Sequence, residues 1–223
     1  MEIATKLGLT DEVFCRMVTK TKMLFSNVLG HAGELHYEKI LNEKKTKFIK
    51  AETDKHYDYL IDKKKIQIKR FETASTNEKF LGVNLTQTHG DRSGKGNFYK
   101  KTDFDELVIF DVLFNKYKNI STEQITTNKK FNDCLEGRYK IKRTNKDLLS
   151  KDELDFLDSF KQKNKLFPDA IEDFRNRLKL SYVELLEYSC GLGKDEIDSL
   201  FSIDNFRLVV GAKGFAAEEH FNV

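Results

Sequence analysis

Proline occurs once in 223 residues and glycine only twelve times. A chain so poor in both is neither collagen-like nor a loop-built scaffold, and it lacks the bias of disordered segments. Cysteine is also scarce. Cys15, Cys134 and Cys190 lie far apart and none forms a CxxC pair, so neither a structural zinc site nor a disulfide framework is indicated. No long apolar run exists. The longest stretch, Leu107–Phe114, is broken by Asp111 and falls far short of the roughly 20 residues needed to span a bilayer. The N-terminus has no apolar signal segment, because Asp11 and Glu12 interrupt it early. These absences lead to the expectation of a soluble, cytoplasmic protein with reduced thiols and no membrane partner.

What is present is charge and aromatic bulk. Charged residues make up 34% of the chain and hydrophobic ones 39%, while eighteen Phe and eight Tyr supply large buried area per residue. The length suits one domain, or one with a small appendage, able to bury a real core. The net charge of +3 hides an asymmetry. Residues 1–150 carry 29 basic against 21 acidic side chains, and residues 151–223 carry 10 against 15. Within Lys44–Arg70 there are ten basic residues and four acidic. A Lys run is most often a solvated face, but it also permits phosphate binding, in which basic side chains displace condensed counterions.

Hydrophobic spacing predicts a helix over Asp11–Leu29 stopped by Gly30, and a second from Ala32 through Leu41 with Leu35, Ile40 and Leu41 as its stripe. Phe48–Ala51, His56–Asp62 and Lys65–Phe71 read as strands, and Phe104–Phe114 as the strongest buried strand. After about residue 146 the pattern is helical. Leu154, Phe156, Leu157 and Phe160 make one stripe, and Ile171, Phe174, Leu178 and Leu180 another, entered at Pro168. Ser181 to Glu184 has the spacing of a capping box, and Gly191 suits the end of that helix. The expected fold is therefore α/β (α+β): a mixed central sheet of about five strands flanked by helices, with a helical C-terminal region. The expected division is a core over residues 1–145 and the helical region over residues 146–223.

The stretch richest in chemistry runs from Tyr57 to Arg70 and reads as a β-hairpin closing at lysines. Residues two apart in a strand share a face, so Gln67 and Lys69 point one way and Ile66 and Ile68 the other. With Lys63-Lys64 as a two-residue turn, Asp58 lies opposite Lys69 and Leu60 opposite Gln67. A carboxylate, an amide and an ammonium would then share one surface. Phosphodiester hydrolysis needs those groups. Mg²⁺ takes oxygen ligands from one or two carboxylates and completes its shell with water and substrate phosphate. A nearby lysine can orient the attacking water and stabilise the anionic transition state.

Asp58 followed by Gln67-Ile68-Lys69 resembles the PD-(D/E)XK nuclease superfamily, in the variant where glutamine replaces the second acid. Family members carry an acidic residue on a helix shortly before the hairpin, and the segment Gly33 to Glu38 fits that place. The segment Tyr99 to Ile109 resembles the strand that follows the catalytic hairpin in many Type II restriction endonucleases. The likeness spans roughly residues 30–112. His56-Tyr57 stands where the family has a proline before its aspartate. The resemblance implies a Mg²⁺-dependent endonuclease acting on double-stranded DNA as a homodimer, since a palindromic site presents two equivalent bonds. It implies Asp58, Gln67 and Glu34 as metal ligands, Glu38 being the substitute for Glu34, and Lys69 as the charge stabiliser. The same core serves repair nickases and junction resolvases.

Other signals are weaker. The loop Gly90–Gly96 is one residue short of a P-loop and reads better as a loop over DNA, with Arg92, Lys95 and also Arg70 as candidate DNA contacts. His31, Glu34 and His36 lack the H-E-x-x-H order of a zinc site. Residues Glu187 to Ile197 resemble the turn of a helix-turn-helix. However, Asp195, Glu196 and Asp198 would repel phosphate, which favours a packing hairpin. The reading from another class is a non-catalytic DNA-binding regulator, with the C-terminal helices reading bases.

Overall fold

The strongest apolar run in the sequence becomes the spine of a mixed sheet. In the computed structural model the described residues are 2–11, 13–14, 24–52, 55–70, 80–86, 98–111, 116–142, 147–155 and 169–202. Strands β1 (Phe48–Lys50), β2 (Tyr59–Ile61), β3 (Lys64–Arg70), β4 (Phe80–Asn84), β5 (Glu106–Asp111), β6 (Lys116–Ser121) and β7 (Arg138–Lys142) follow in chain order. Helices α1 (Glu2–Lys6) and α2 (Leu24–Glu43) precede them, and α3 (Asp169–Cys190) and α4 (Lys194–Ser202) come after. The fold is mixed α+β, with a five-stranded sheet of order β1-β2-β3-β5-β6 and a separate pair β4-β7. The chain divides into two compact units, Met1–Ile40 with Lys151–Val223, and Leu41–Ser150. The expected division fell after residue 145; here it falls after Ser150, and the first forty residues group with the C-terminal helices.

In the unit Leu41–Ser150, β5 runs parallel to β3 from Ile66↔Glu106 to Arg70↔Phe110, and antiparallel to β6. Leu107, Val108 and Ile109 are fully buried, so both faces of β5 are covered. Each such side chain contributes about 1.5–3 kcal/mol of hydrophobic stabilisation, so this strand anchors the unit. Asp105 sets its start: its N–H donates to Lys65 O, and its Oδ2 accepts from Lys65 N, both at 2.8 Å.

The hairpin turn differs from expectation by one residue. Ile61 pairs with Lys64 and Tyr59 with Ile66, so Asp62-Lys63 makes the turn and not Lys63-Lys64. Both turn residues have positive φ, 48° and 68°. A two-residue turn of this kind needs φ > 0 twice, and Asp tolerates that conformation better than Lys, which selects Asp62 for the first position. Lys63→Gly removes the penalty at the second position. It should raise stability by about 0.5–1 kcal/mol, because the relief outweighs glycine's extra unfolded-state entropy. The urea midpoint measures this, and a lower midpoint would contradict it.

In the other unit, α2 passes straight through Gly30, which was expected to stop a helix. Among its described side chains the buried ones include Val28, Leu29, Ala32, His36, Tyr37 and Leu41, so of the expected stripe Leu41 is buried while Leu35 and Ile40 are only partly so. Helix α3 is likewise continuous to Cys190, so Ser181 lies inside it and caps nothing. Gly191, at φ +62°, ends it as expected, with its N–H on Glu187 O at 3.0 Å. Leu192 and Ile197 are buried beyond the link. Glu196 caps α4 through Gly193 N–H (2.8 Å) and accepts from Lys6 Nζ (2.7 Å).

That last contact sets a pH dependence. The hydrogen bond from Lys6 holds the Glu196 carboxyl below its ordinary range, and Glu196 in turn raises the Lys6 ammonium. A carboxyl lowered in the folded state contributes stability above its unfolded pKa, here 4.5, and loses it as pH falls. A lysine raised in the folded state contributes below 10.5 and loses it as pH rises. The melting-temperature gap between wild type and Glu196→Gln should therefore be present at pH 7 and close as pH drops below 4.5. Added salt should narrow it. A gap independent of pH would remove the ion pair from the account.

Candidate active site

Strand β3 is the third of five, and its middle residues Ile66, Gln67 and Ile68 are all buried. Alternation puts Gln67 and Lys69 on one face and Ile66, Ile68 and Arg70 on the other. The chain leaves the β ladder at Asp58, just before β2. The Asp58 N–H donates to Ile66 O at 2.8 Å, and its carbonyl accepts from Ala51 N–H at 2.9 Å. Its side chain then takes over the ladder's next donor. Oδ2 accepts from Ile68 N–H at 2.6 Å and from Gln67 Nε2 at 2.7 Å. Hydrogen bonds to an ionised acceptor are short and about twice as strong as neutral ones, so the carboxylate is held firmly.

The one-residue shift of the turn keeps every side chain on its expected face, because it changes which residues pair but not their alternation. Asp58 therefore stands beside Gln67 and not opposite Lys69. Gln67 is 4% exposed, and its Nε2 also donates to Ile68 O at 3.1 Å. Two acceptors surround that nitrogen, which assigns the amide orientation. Nitrogen, not oxygen, faces Asp58. A cation shared by Asp58 and the Gln67 oxygen requires the amide to turn over and give up both bonds. The donor set still fits a hard divalent ion: one fixed carboxylate and one amide oxygen, with water and substrate phosphate completing the shell. Among the described residues there is no cluster of three or more His, Cys, Asp or Glu able to hold a metal.

Lys69 is partly buried at the far end of β3, and its Nζ lies 5.2 Å from the centre of the Tyr99 ring. Across the sheet, Ile109 pairs with both Lys69 and Lys118. Lys118 and Asp111 thus share the face of Gln67 and Lys69. They form a buried ion pair at 2.8 Å, with side-chain exposures of 8% and 5%. Removing one partner of such a pair costs about 3–5 kcal/mol, so this pair belongs to the sheet's own stability. Neither the Tyr99 platform nor this pair was anticipated from sequence, where Asp111 was only the break in an apolar run.

The remaining candidates belong to other elements or to residues outside those described. Glu34 sits in the unit containing α2, ten residues past the helix start at Leu24, with Oε2 3.4 Å from His31 Nδ1. His36 is buried edge-on to Tyr188 at 5.3 Å. Arg70 is partly buried on the face opposite Gln67. Arg92, Lys95 and Cys15 lie outside the described residues. Cys134 and Cys190 are buried and in no disulfide, and burial pushes the Cys190 thiol up to about 11, which keeps it protonated and inert. A cavity of about 620 Å³ opens on the opposite sheet face, beside Lys64, Lys101 and Glu106. Asp105 and Glu123 also line it, so it offers an anionic backbone no net attraction.

No family model, curated protein or solved structure matches this chain. No helix among the described residues is long and apolar enough to cross a membrane.

Proposed function

We propose that this chain is a Mg²⁺-dependent endonuclease that hydrolyses phosphodiester bonds of double-stranded DNA, in the manner of a Type II restriction enzyme. The observation that carries the reading is the Asp58 carboxylate, pinned by Ile68 N–H and the Gln67 amide on the strand face that Lys69 shares. A surface aspartate on a solvated hairpin would have no need of a buried amide to hold it. Here a buried polar side chain holds a carboxylate on the strand face that a lysine shares, and such preorganisation is what charge-stabilising catalysis requires.

Asp58, with Gln67 once its amide has turned, would hold the cation. When bound, the ion would activate water and offset the charge that builds on the phosphoryl oxygens. Lys69 contributes a fixed positive charge beside the anionic transition state and a donor that orients the attacking water. The basic excess of residues 1–150 supports a polyanionic substrate. A symmetric homodimer would match two equivalent bonds of a palindromic site, and buried cysteines outside any disulfide suit a reducing cytoplasm.

The test is incubation of purified protein with supercoiled plasmid and Mg²⁺, followed by sequencing of the ends. Cleavage at one short sequence on both strands is the expected result. Nicking at junctions or lesions would move the chain to a repair role on the same core. Binding without cleavage would make it a regulator.

A further inference from the structure

We infer that Tyr99 is a positioning residue for Lys69, its ring face serving as the platform that keeps the ammonium on the Asp58–Gln67 side of the sheet. The catalytic consequence rests on the nuclease reading above; the contact itself does not. Lys69 Nζ lies 5.2 Å from the ring centre, within the range where a cation is drawn to the negative face of an aromatic ring. Other described lysines also stand over rings: Lys39 over Tyr188, Lys65 over Tyr57 and Lys130 over Phe131. Tyr188 is 49% exposed, and Tyr57 and Phe131 are only partly buried, so those rings can move with their lysines. Tyr99 is 5% exposed.

The ring is held from several directions. It meets Phe104, itself fully buried, edge-on at 5.4 Å and 77°. The Tyr99 carbonyl accepts from Leu135 N–H at 2.8 Å. Its neighbours are tied into bridges, Phe98 to Thr86 and Lys100 to Cys134. A lysine has four rotatable side-chain bonds, and a catalytic ammonium must not wander among them. A ring face restricts that freedom without itself taking up an N–H as a conventional hydrogen bond would. The platform is thus to Lys69 what the Gln67 amide is to Asp58: a buried group whose contact orients a charged one.

The experiment replaces the ring and then drains its charge. Tyr99→Phe should keep kcat within about twofold, because the ring face remains. Phenylalanine carrying increasing numbers of fluorines at position 99 keeps the shape while removing the negative face. It should lower kcat stepwise, to about a tenfold loss, at unchanged KM and melting temperature. Tyr99→Leu should lose at least as much if it folds, and the fluorinated series keeps the test intact if it does not. Wild type and Lys69→Ala run alongside. A wild type that cuts beside a dead Lys69→Ala, with a fluorinated series that stays flat, overturns the platform and leaves the nuclease reading standing. A Tyr99→Phe loss as large as that of Tyr99→Leu overturns it too, because the hydroxyl and not the ring face would then be the agent. A wild type that cuts no DNA removes both.

Discussion

Asp58→Asn and Lys69→Ala are each expected to lower DNA cleavage at least a hundredfold while leaving Ca²⁺-supported DNA binding nearly unchanged. The magnitude follows from what is removed. A preorganised charge aimed at a developing anion typically contributes about a hundredfold to a thousandfold in rate. Neither change should unfold the protein. Asn at position 58 retains an oxygen for the Ile68 N–H, which Asp58 now satisfies at 2.6 Å. Asp58→Ala would be a poorer test, because it strands that N–H and the Gln67 amide, at about 1–3 kcal/mol for each buried donor left unpaired. Lys69→Ala loses a contact with the Tyr99 ring worth about 1 kcal/mol. Plasmid linearisation rates and gel shifts in Ca²⁺ measure the two effects separately. If either variant cuts within about threefold of wild type, the site is elsewhere.

The second large effect is expected at Gln67. Gln67→Glu places a second carboxylate where an amide N–H now meets Asp58 Oδ2 at 2.7 Å. Two carboxylates that close cannot both ionise without a cation, so one carboxyl of the pair is pushed upward and keeps its proton. The sign for stability follows. The folded pair binds a proton that the unfolded chain releases above about pH 4.3, so metal-free stability of this variant falls as pH rises from about 5 toward 8. A divalent cation reverses the penalty. At a cation concentration of about a hundred times Kd the gain is about 2.7 kcal/mol, or roughly 5–10 °C in Tm for a protein of this size. Wild type, with a neutral amide, should gain less. Gln67→Ala leaves Asp58 less firmly held and should cut about tenfold more slowly, since orientation and not charge is lost. Thermal melts across pH, with and without Mg²⁺, decide the matter. A Gln67→Glu variant indifferent to both pH and metal would show that the two side chains are not neighbours.

What could be read from the sequence was what depends on local period. Alternation along β3 places Gln67 and Lys69 together, and no tertiary detail is needed for that. β5 was legible because Leu107 to Phe110 are apolar without a break, the pattern of a strand covered on both faces. The hairpin was legible in outline only. Three consecutive lysines offer no turn preference among themselves, and the first turn position falls to Asp62, which tolerates positive φ better than lysine does. Even so, the shared facing of Asp58, Gln67 and Lys69 is unchanged, because moving the turn by one residue preserves it.

The parts that depend on distant pairing were not legible. β7 joins β4 through Phe80↔Lys142, and neither strand has an apolar period strong enough to announce itself. β6 buries Lys118 and Ile120 while Lys116, Asn119 and Ser121 stay exposed, so a lysine occupies what reads as a polar position. Its burial makes sense only once Asp111 is across the ladder, at Lys116 of the same strand. The Tyr99 platform likewise joins residues thirty apart. Gly30 and Ser181 look like helix punctuation in the sequence, yet long helices with buried faces override a single unfavourable residue, whose cost is about 1 kcal/mol at most.

The most direct test of the account is the Mg²⁺ add-back of metal-stripped protein on supercoiled plasmid, with wild type and Asp58→Asn purified side by side. The account predicts no cleavage by either protein in chelator, full cleavage by wild type when Mg²⁺ is restored, and none by Asp58→Asn at any Mg²⁺ concentration. Equal cleavage by the two proteins, or a wild type that cuts no DNA with any divalent cation, would contradict it.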